Sequence, residues 1–251
     1  MGLPVTIATR DAAAHEEAVA GAFDRLREVD ARFSLYREDS ELSALNRGAL
    51  TLEDAHPMVH EVLRRCEELR VATRGYFDAR AAYVLWAGGT PATGVGVDPT
   101  GLVKGWAVQL AADGLAAAGV CDAFVGAAGD VCVRGESEPG EPWRIGVQHP
   151  FEPDRVAAVL EVGDAAVATS GAYARGAHIV DPHTGQTPDA LASVTVVGPD
   201  LGTVDAYATA AFAMGEDGPG WLMTLEPACA GLAITAAGEV LSTPGMERFR
   251  A

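Results

Sequence analysis

The sequence predicts an α+β fold of mixed strands and helices, and three observations point to it. Apolar residues recur every three or four positions in long early and late segments, whereas the middle of the chain holds short apolar or β-branched runs. Strands and helices do not alternate regularly, and no G-x-G-x-x-G follows the first apolar run, which argues against a βαβ or Rossmann arrangement. With 49% of 251 residues hydrophobic, the chain can bury a sizeable core, and one domain over 1–251, built as two interlocked lobes, is expected.

Residues 3–9 read as an opening strand. Over 14–33, Val19, Phe23, Leu26, Val29 and Phe33 share one face of an amphipathic helix. Ser40 stands as the cap of a short helix reaching Asn46. Pro57 suits the first turn of a helix over 57–72, in which Val59, Val62, Cys66 and Leu69 share a face, and Gly75 ends that region. The glycine- and threonine-rich 86–96 predicts a crossing loop. A helix over 101–118 follows, placing Asp98 and Thr100 at its N-terminal end, where unpaired backbone N–H groups favour anions. Short strands are expected at 123–125, 131–133, 143–147, 156–162, 165–169 and 193–197, with a hairpin turn at 137–142. Helices over 203–214 and 219–225 and strands at 232–235 and 240–242 complete the order.

The formal net charge is −17, from 35 acidic and 18 basic residues, so the general field repels nucleic acids and anionic membranes. No basic stripe interleaved with aromatics opposes it, which excludes a nucleic-acid partner. The N-terminus lacks a basic segment followed by an apolar run, and no apolar stretch of about 20 residues occurs, so a cytoplasmic protein without membrane insertion is expected. Cys66, Cys121, Cys132 and Cys229 lack C-x-x-C spacing and read as reduced core residues.

Four stretches place ligand atoms beside glycine or proline. They are Val97-Asp98-Pro99-Thr100-Gly101-Leu102-Val103-Lys104-Gly105, Gly126-Ala127-Ala128-Gly129-Asp130, His178-Ile179-Val180-Asp181-Pro182-His183-Thr184-Gly185 and Val204-Asp205-Ala206-Tyr207-Ala208-Thr209. Together they predict one phosphate-and-metal site assembled from distant parts of the chain. Asp205 and Thr209, four apart, occupy one helix face and suit hard, oxygen-seeking Mg²⁺; a helix-end charge and a packed threonine are the alternative. Lys104 can hold a phosphate or ribose oxygen, or close a loop salt bridge. Gly126, Gly129 and Asp130 either cradle an anion or turn the chain. Thr169-Ser170-Gly171 presents two hydroxyls at a strand end, without the G-x-S-x-G elbow of a serine nucleophile. His178 can take a proton from a hydroxyl if Asp181 or a backbone group orients it, or simply bond a neighbouring loop. Tyr36, Tyr173 and Trp106 can stack on a flat ring or pack in the core.

Further motifs are Phe33-Ser34-Leu35-Tyr36 followed by Ser40-Glu41-Leu42-Ser43-Ala44-Leu45-Asn46, Gly75-Tyr76-Phe77-Asp78, and Ala168-Thr169-Ser170-Gly171. In this order and spacing the chain resembles the ApbE-type flavin transferases, FAD:protein FMN transferases, from its first residues to about Gly215 and more loosely beyond. The resemblance implies an ApbE-like, T-fold-related unit. It implies FAD binding through Tyr36, Asp78, Asp98, Lys104, Gly129, Asp130, Thr169, Ser170, Gly171 and His178, with the diphosphate near Mg²⁺ held by Asp205, Thr209 and the Val103 carbonyl. It also implies His178 as base, Asp181 as second base or orienter, an acceptor protein with a threonine-containing flavinylation segment (serine being the other acceptor residue), and AMP as the released product. Some relatives hydrolyse FAD to FMN and AMP and others chiefly bind flavin, so a pyrophosphatase and a non-catalytic binder stand as alternatives. The chain departs from the usual pattern at Asp98-Pro99-Thr100-Gly101, where Asp-Leu-Gly is typical. It departs again at Gln109, often aspartate, at Ala128, usually glycine, and at Ala172, commonly Asp or Asn.

Overall fold

The structure, a computed structural model, describes residues 2–90, 93–171 and 179–251. Strand β1 (Val5–Thr9) leads through a 3-10 turn (Ala12–His15) into helix α1 (Glu16–Phe33). Leu26, Val29 and Phe33 are buried along α1 as the periodicity anticipated, Val19 and Phe23 are half-buried against the same core and Ala22 joins the stripe, each large buried apolar side chain contributing about 1.5–3 kcal/mol. Helix α2 (Glu41–Asn46) starts at Ser40, whose Oγ accepts from Ser43 N at 3.0 Å and donates to the Ser34 carbonyl at 2.7 Å. Helix α3 (Pro57–Ala72) carries its proline in the first turn, as expected.

Helix α4 (Ala79–Ala87) is not anticipated by the sequence reading, and it takes in Trp86 at the start of the expected crossing loop. Its sequence is apolar apart from Arg80, and its buried residues, Ala79 and Tyr83, make a stripe of only one turn. The signal is Asp78, an N-cap accepting from Arg80 N and Ala81 N, while Gly88 at φ +72° ends the helix. Helix α5 (Thr100–Ala117) buries ten residues around its circumference, as befits a central helix.

Strands β2 (Ala123–Ala127), β3 (Asp130–Arg134), β4 (Trp143–Gln148), β5 (Val156–Val162), β6 (Ala165–Gly171) and β7 (Leu191–Gly198) follow. Helices α6 (Leu201–Ala213) and α7 (Gly218–Leu222) then precede β8 (Ala230–Thr235) and β9 (Val240–Ser242). Two sheets occur among the described residues. The larger is antiparallel with order β1-β2-β3-β6-β7-β8-β9, and the smaller is the pair β4-β5.

Strand alternation divides the interior into two layers. Cys132, Ala166, Ala168, Val194 and Val196 face the helices with Trp106, Leu115 and Phe212, whereas Val131, Val133, Val167 and Val197 face the small sheet with Val147, Leu160 and Val162. The β4-β5 pair therefore covers the second face of the large sheet. Of the four cysteines, Cys66, Cys132 and Cys229 are buried and reduced as expected, but Cys121 is exposed in the turn after α5.

Candidate active site

A cleft of about 1070 Å³ opens where the N-terminal ends of α4 and α5 meet the β2–β3 hairpin, the end of β6 and the face of α6. Of the sequence-predicted site residues, Tyr36, Asp78, Asp98, Val103, Lys104, Gly129, Thr169, Ser170, Gly171, Asp205 and Thr209 all line it. Asp130 lies buried against Lys104. Asp181 sits between the lining residues Val180 and Pro182, whereas His178, Tyr173 and Ala172 lie outside the described residues. The cleft volume suits a dinucleotide-sized ligand.

Glycine brings the two central helices together. A Cβ on Gly105 would stand 2.6 Å from the Leu201 carbonyl oxygen and 3.1 Å from Asp205 Cβ, so α5 and α6 approach closely only because that carbon is missing. The entry to α6 is held from three sides. Asp200 caps Thr203 N at 2.8 Å and pairs with Arg65 of α3, while Gln109 Oε1 accepts from Leu201 N at 2.9 Å. Burial raises the Asp200 pKa, but the Thr203 and Arg65 interactions outweigh it and hold that carboxyl below its ordinary value.

At this crossing the Lys104 ammonium lies between two buried carboxylates, bonded to Asp130 Oδ2 and 3.4 Å from Asp205 Oδ1. Asp130 Oδ1 accepts in turn from Thr169 N at 3.0 Å, which ties the hairpin to β6. Burial lowers the Lys104 pKa, yet the charges of Asp205 and Asp130 more than reverse this and raise it. Burial, then the Asp130 charge, pushes the Asp205 carboxyl up to about 7, against the opposing pull of Lys104.

Asp205 Oδ2 is buried with no hydrogen-bond partner. Thr209 stands one turn further along α6, its Oγ1 3.1 Å from Ser170 Oγ. An orphaned carboxylate oxygen beside hydroxyls is an all-oxygen donor set, and it fits a hard cation such as Mg²⁺ that takes its remaining ligands from water and phosphate. Among the described residues no three His, Cys, Asp or Glu side chains converge as a metal cluster.

The remaining predicted carboxylates also serve the backbone. Asp98 Oδ1 accepts from Thr100 N at 3.0 Å at the start of α5. Asp181 accepts from His183 N and from Thr184 Oγ1, both at 2.9 Å, so both of its oxygens are engaged within its own loop. That loop seats on the Gly75 turn, where His183 Nε2 lies 3.1 Å from the Arg74 carbonyl oxygen and its ring meets Tyr76 edge-on. Tyr36 is 86% exposed at the mouth of the cleft, free to lie on a flat ring, whereas Trp106 is buried against Phe33.

The ApbE family model matches residues 1–92 and 89–232. The chain belongs to the ApbE family. It is 30% identical over 239 residues to the FAD:protein FMN transferase of Vibrio cholerae serotype O1, covering 76% of this chain and 72% of that protein. The FAD:protein FMN transferase of Haemophilus influenzae is 27% identical over 245 residues, covering 76% and 71% respectively. Among solved structures, the flavin transferase ApbE from Vibrio cholerae superposes with a TM-score of 0.81 at 25% identity, over 99% of this chain and 96% of that one. The ApbE protein from Thermotoga maritima, 22% identical, shares the fold at a TM-score of 0.84 over the same shares of the two chains.

Two departures of this ApbE chain now have a local setting, a strained one at Ala128 and a favourable one at Gln109. Ala128 and Gly129 form a two-residue hairpin loop with φ of +51° and +94°, so an L-residue occupies a left-handed position. Gln109 caps α6 through its oxygen and bonds Asp113 through its nitrogen, a double role an aspartate is too short and too donor-poor to fill. Sequence reasoning missed the walls contributed by Leu85 and Trp86 of α4 and by Gly146, Val147 and Gln148 of β4. It also gave Asn46 no mechanical part, although its amide exchanges two hydrogen bonds, of 2.8 and 2.9 Å, with Val97 just before Asp98.

Proposed function

We propose that this ApbE protein transfers the FMN moiety of FAD to a threonine or serine hydroxyl of an acceptor protein, with Mg²⁺ bound and AMP released. The acceptor Oγ forms a bond to the flavin-side phosphorus, and the bond from that phosphorus to the bridging oxygen breaks. The bridging oxygen leaves with AMP, and the hydroxyl proton passes to His178. The observation that carries this proposal is the buried, unpartnered Asp205 Oδ2 at the floor of a dinucleotide-sized cleft, beside Lys104 and within an ApbE chain.

Asp205, Thr209 and the Val103 carbonyl would hold the cation, which when bound neutralises charge growing on the diphosphate. Lys104 supplies a largely buried positive charge beside Asp205, while the first-turn N–H groups of Thr100, Leu102 and Val103 are already taken by Asp98 and the Pro99 carbonyl. Asp181 braces its own loop through His183 N and Thr184 Oγ1, and His183 seats that loop against the Gly75 turn. Exclusion of water from the attacking position separates transfer from hydrolysis, because water in place of threonine gives free FMN.

The test is incubation with FAD and Mg²⁺, with and without a threonine-bearing peptide, followed by mass analysis. An FMN-sized gain on the peptide with AMP released is the expected result. Free FMN with AMP would make the protein a pyrophosphatase, and intact FAD would make it a binding protein.

A further inference from the structure

The small sheet has two edges of unlike fate. Along β5 the outer edge is covered by the end of the chain: Ala251 N donates to the Val159 carbonyl at 3.2 Å, and Leu160 bridges Arg250. Because the Val159 carbonyl points away from β4, the directly opposite pair Val159–Gly146 is one whose N–H and C=O groups face outward on both strands. Gly146, and two residues earlier Arg144, therefore present their backbone groups at the far edge of β4. Both are exposed, and among the described residues no backbone partner meets them there.

This edge is only lightly protected, with Arg144 its one charged side chain. Residues 143–148 contain no proline, and the register shift comes only at Val147/Gln148. The edge also runs into the cleft, since Gly146, Val147 and Gln148 line the same space as Asp205 and Thr209. Gly146 offers no side chain to obstruct an incoming strand.

We infer that the open edge of β4 is the docking rail for the acceptor: an extended, threonine-bearing segment of the acceptor protein adds to β4 as a third strand. The inference rests on the transfer proposed above and names how its second substrate is held. Main-chain pairing suits a flexible segment, because it fixes direction and register while alternate side chains point to one face. A segment paired with Gly146 has its next residues delivered beside Val147 and Gln148, so a hydroxyl enters the cleft from a defined side.

The test begins with wild-type protein and a synthetic threonine-bearing peptide in metal-free buffer, read by NMR-detected amide exchange. Slowed exchange at Gly146 and Arg144 on peptide addition is expected. Unchanged exchange there overturns the proposal, whatever the variants do. Protection that appears without peptide and grows with protein concentration assigns the edge to a second copy of the chain, and also overturns it. Gly146→Pro removes the outward N–H while leaving the β4–β5 ladder bonds in place, and Gly146→Ala keeps the N–H. A Cβ there would stand 3.6 Å from Val156 Cγ2, an ordinary contact. Gly146→Pro should raise the KM for peptide about tenfold, the worth of one hydrogen bond, while Gly146→Ala, which keeps that bond, should show no such rise. Equal KM in Gly146→Pro and wild type would sink the rail. If wild type transfers no FMN, the transfer proposal fails by itself, and the exchange experiment still reports on the edge.

Discussion

Asp205 places ionisation and ligation in competition, since its carboxyl is lifted to about 7 while one oxygen waits without a partner. A raised folded-state pKa favours the protonated form, so the stability contribution is fully present below the unfolded value and is lost as pH rises through about 7. Cation binding needs the carboxylate. Mg²⁺ binding should therefore release about one proton at pH 6 and nearly none at pH 8. Calorimetry in buffers of different ionisation enthalpy reads this directly, and Asp205→Asn should abolish both binding and proton release. A second residue-scale prediction concerns Ala128 at φ +51°, where the left-handed position disfavours a Cβ. Ala128→Gly should raise the unfolding free energy in denaturant by about 0.5 kcal/mol, the relief of strain less the added freedom of the unfolded chain. At this scale the Asp205–Thr209 pair was legible because a four-residue spacing on a helix fixes a shared face. The burial of Asp130 beneath Lys104 was not, because it depends on a hairpin packing against a helix 26 positions away in sequence.

Helices α5 and α6 meet at Gly105, so the geometry of the site belongs to an element pair as much as to its side chains. Gly105→Ala would set a methyl 2.6 Å from the Leu201 carbonyl and force the helices apart. It should destabilise the fold by about 2 kcal/mol and weaken Mg²⁺ binding in parallel. Thermal melting together with metal titration tests both, and a variant that loses stability while keeping metal affinity would show that Lys104 and Asp205 tolerate the displacement. Element identity was legible wherever a stripe of apolar residues had a period, as in α1 and α3. It failed at α4, whose short, Ala-rich apolar run buries only Ala79 and Tyr83 and whose cap, Asp78, was assigned to ligand binding alone. Layer membership was beyond the sequence as well. The runs in β4 and β5 are apolar enough for the large sheet, and only packing decides that they cover its second face.

Across the whole molecule, a net charge of −17 surrounds a cleft whose proposed ligand is itself an anion. Screening should relieve that repulsion, so the association rate of FAD is expected to rise between about 10 and 150 mM salt. Stopped-flow flavin fluorescence would show it, and a rate that falls with salt would mean that the local field of Lys104 governs approach. No helix among the described residues is long and apolar enough to cross a membrane. The unpartnered Asp205 oxygen finally bears on the molecule as a thermodynamic object. A native state that captures a cation there, while the unfolded chain does not, is drawn toward folding by mass action. At a hundred times the dissociation constant the gain is about 2.7 kcal/mol. A chelator should then lower the melting temperature by several degrees, and the midpoint of unfolding becomes a gauge of free cation in the surrounding solution.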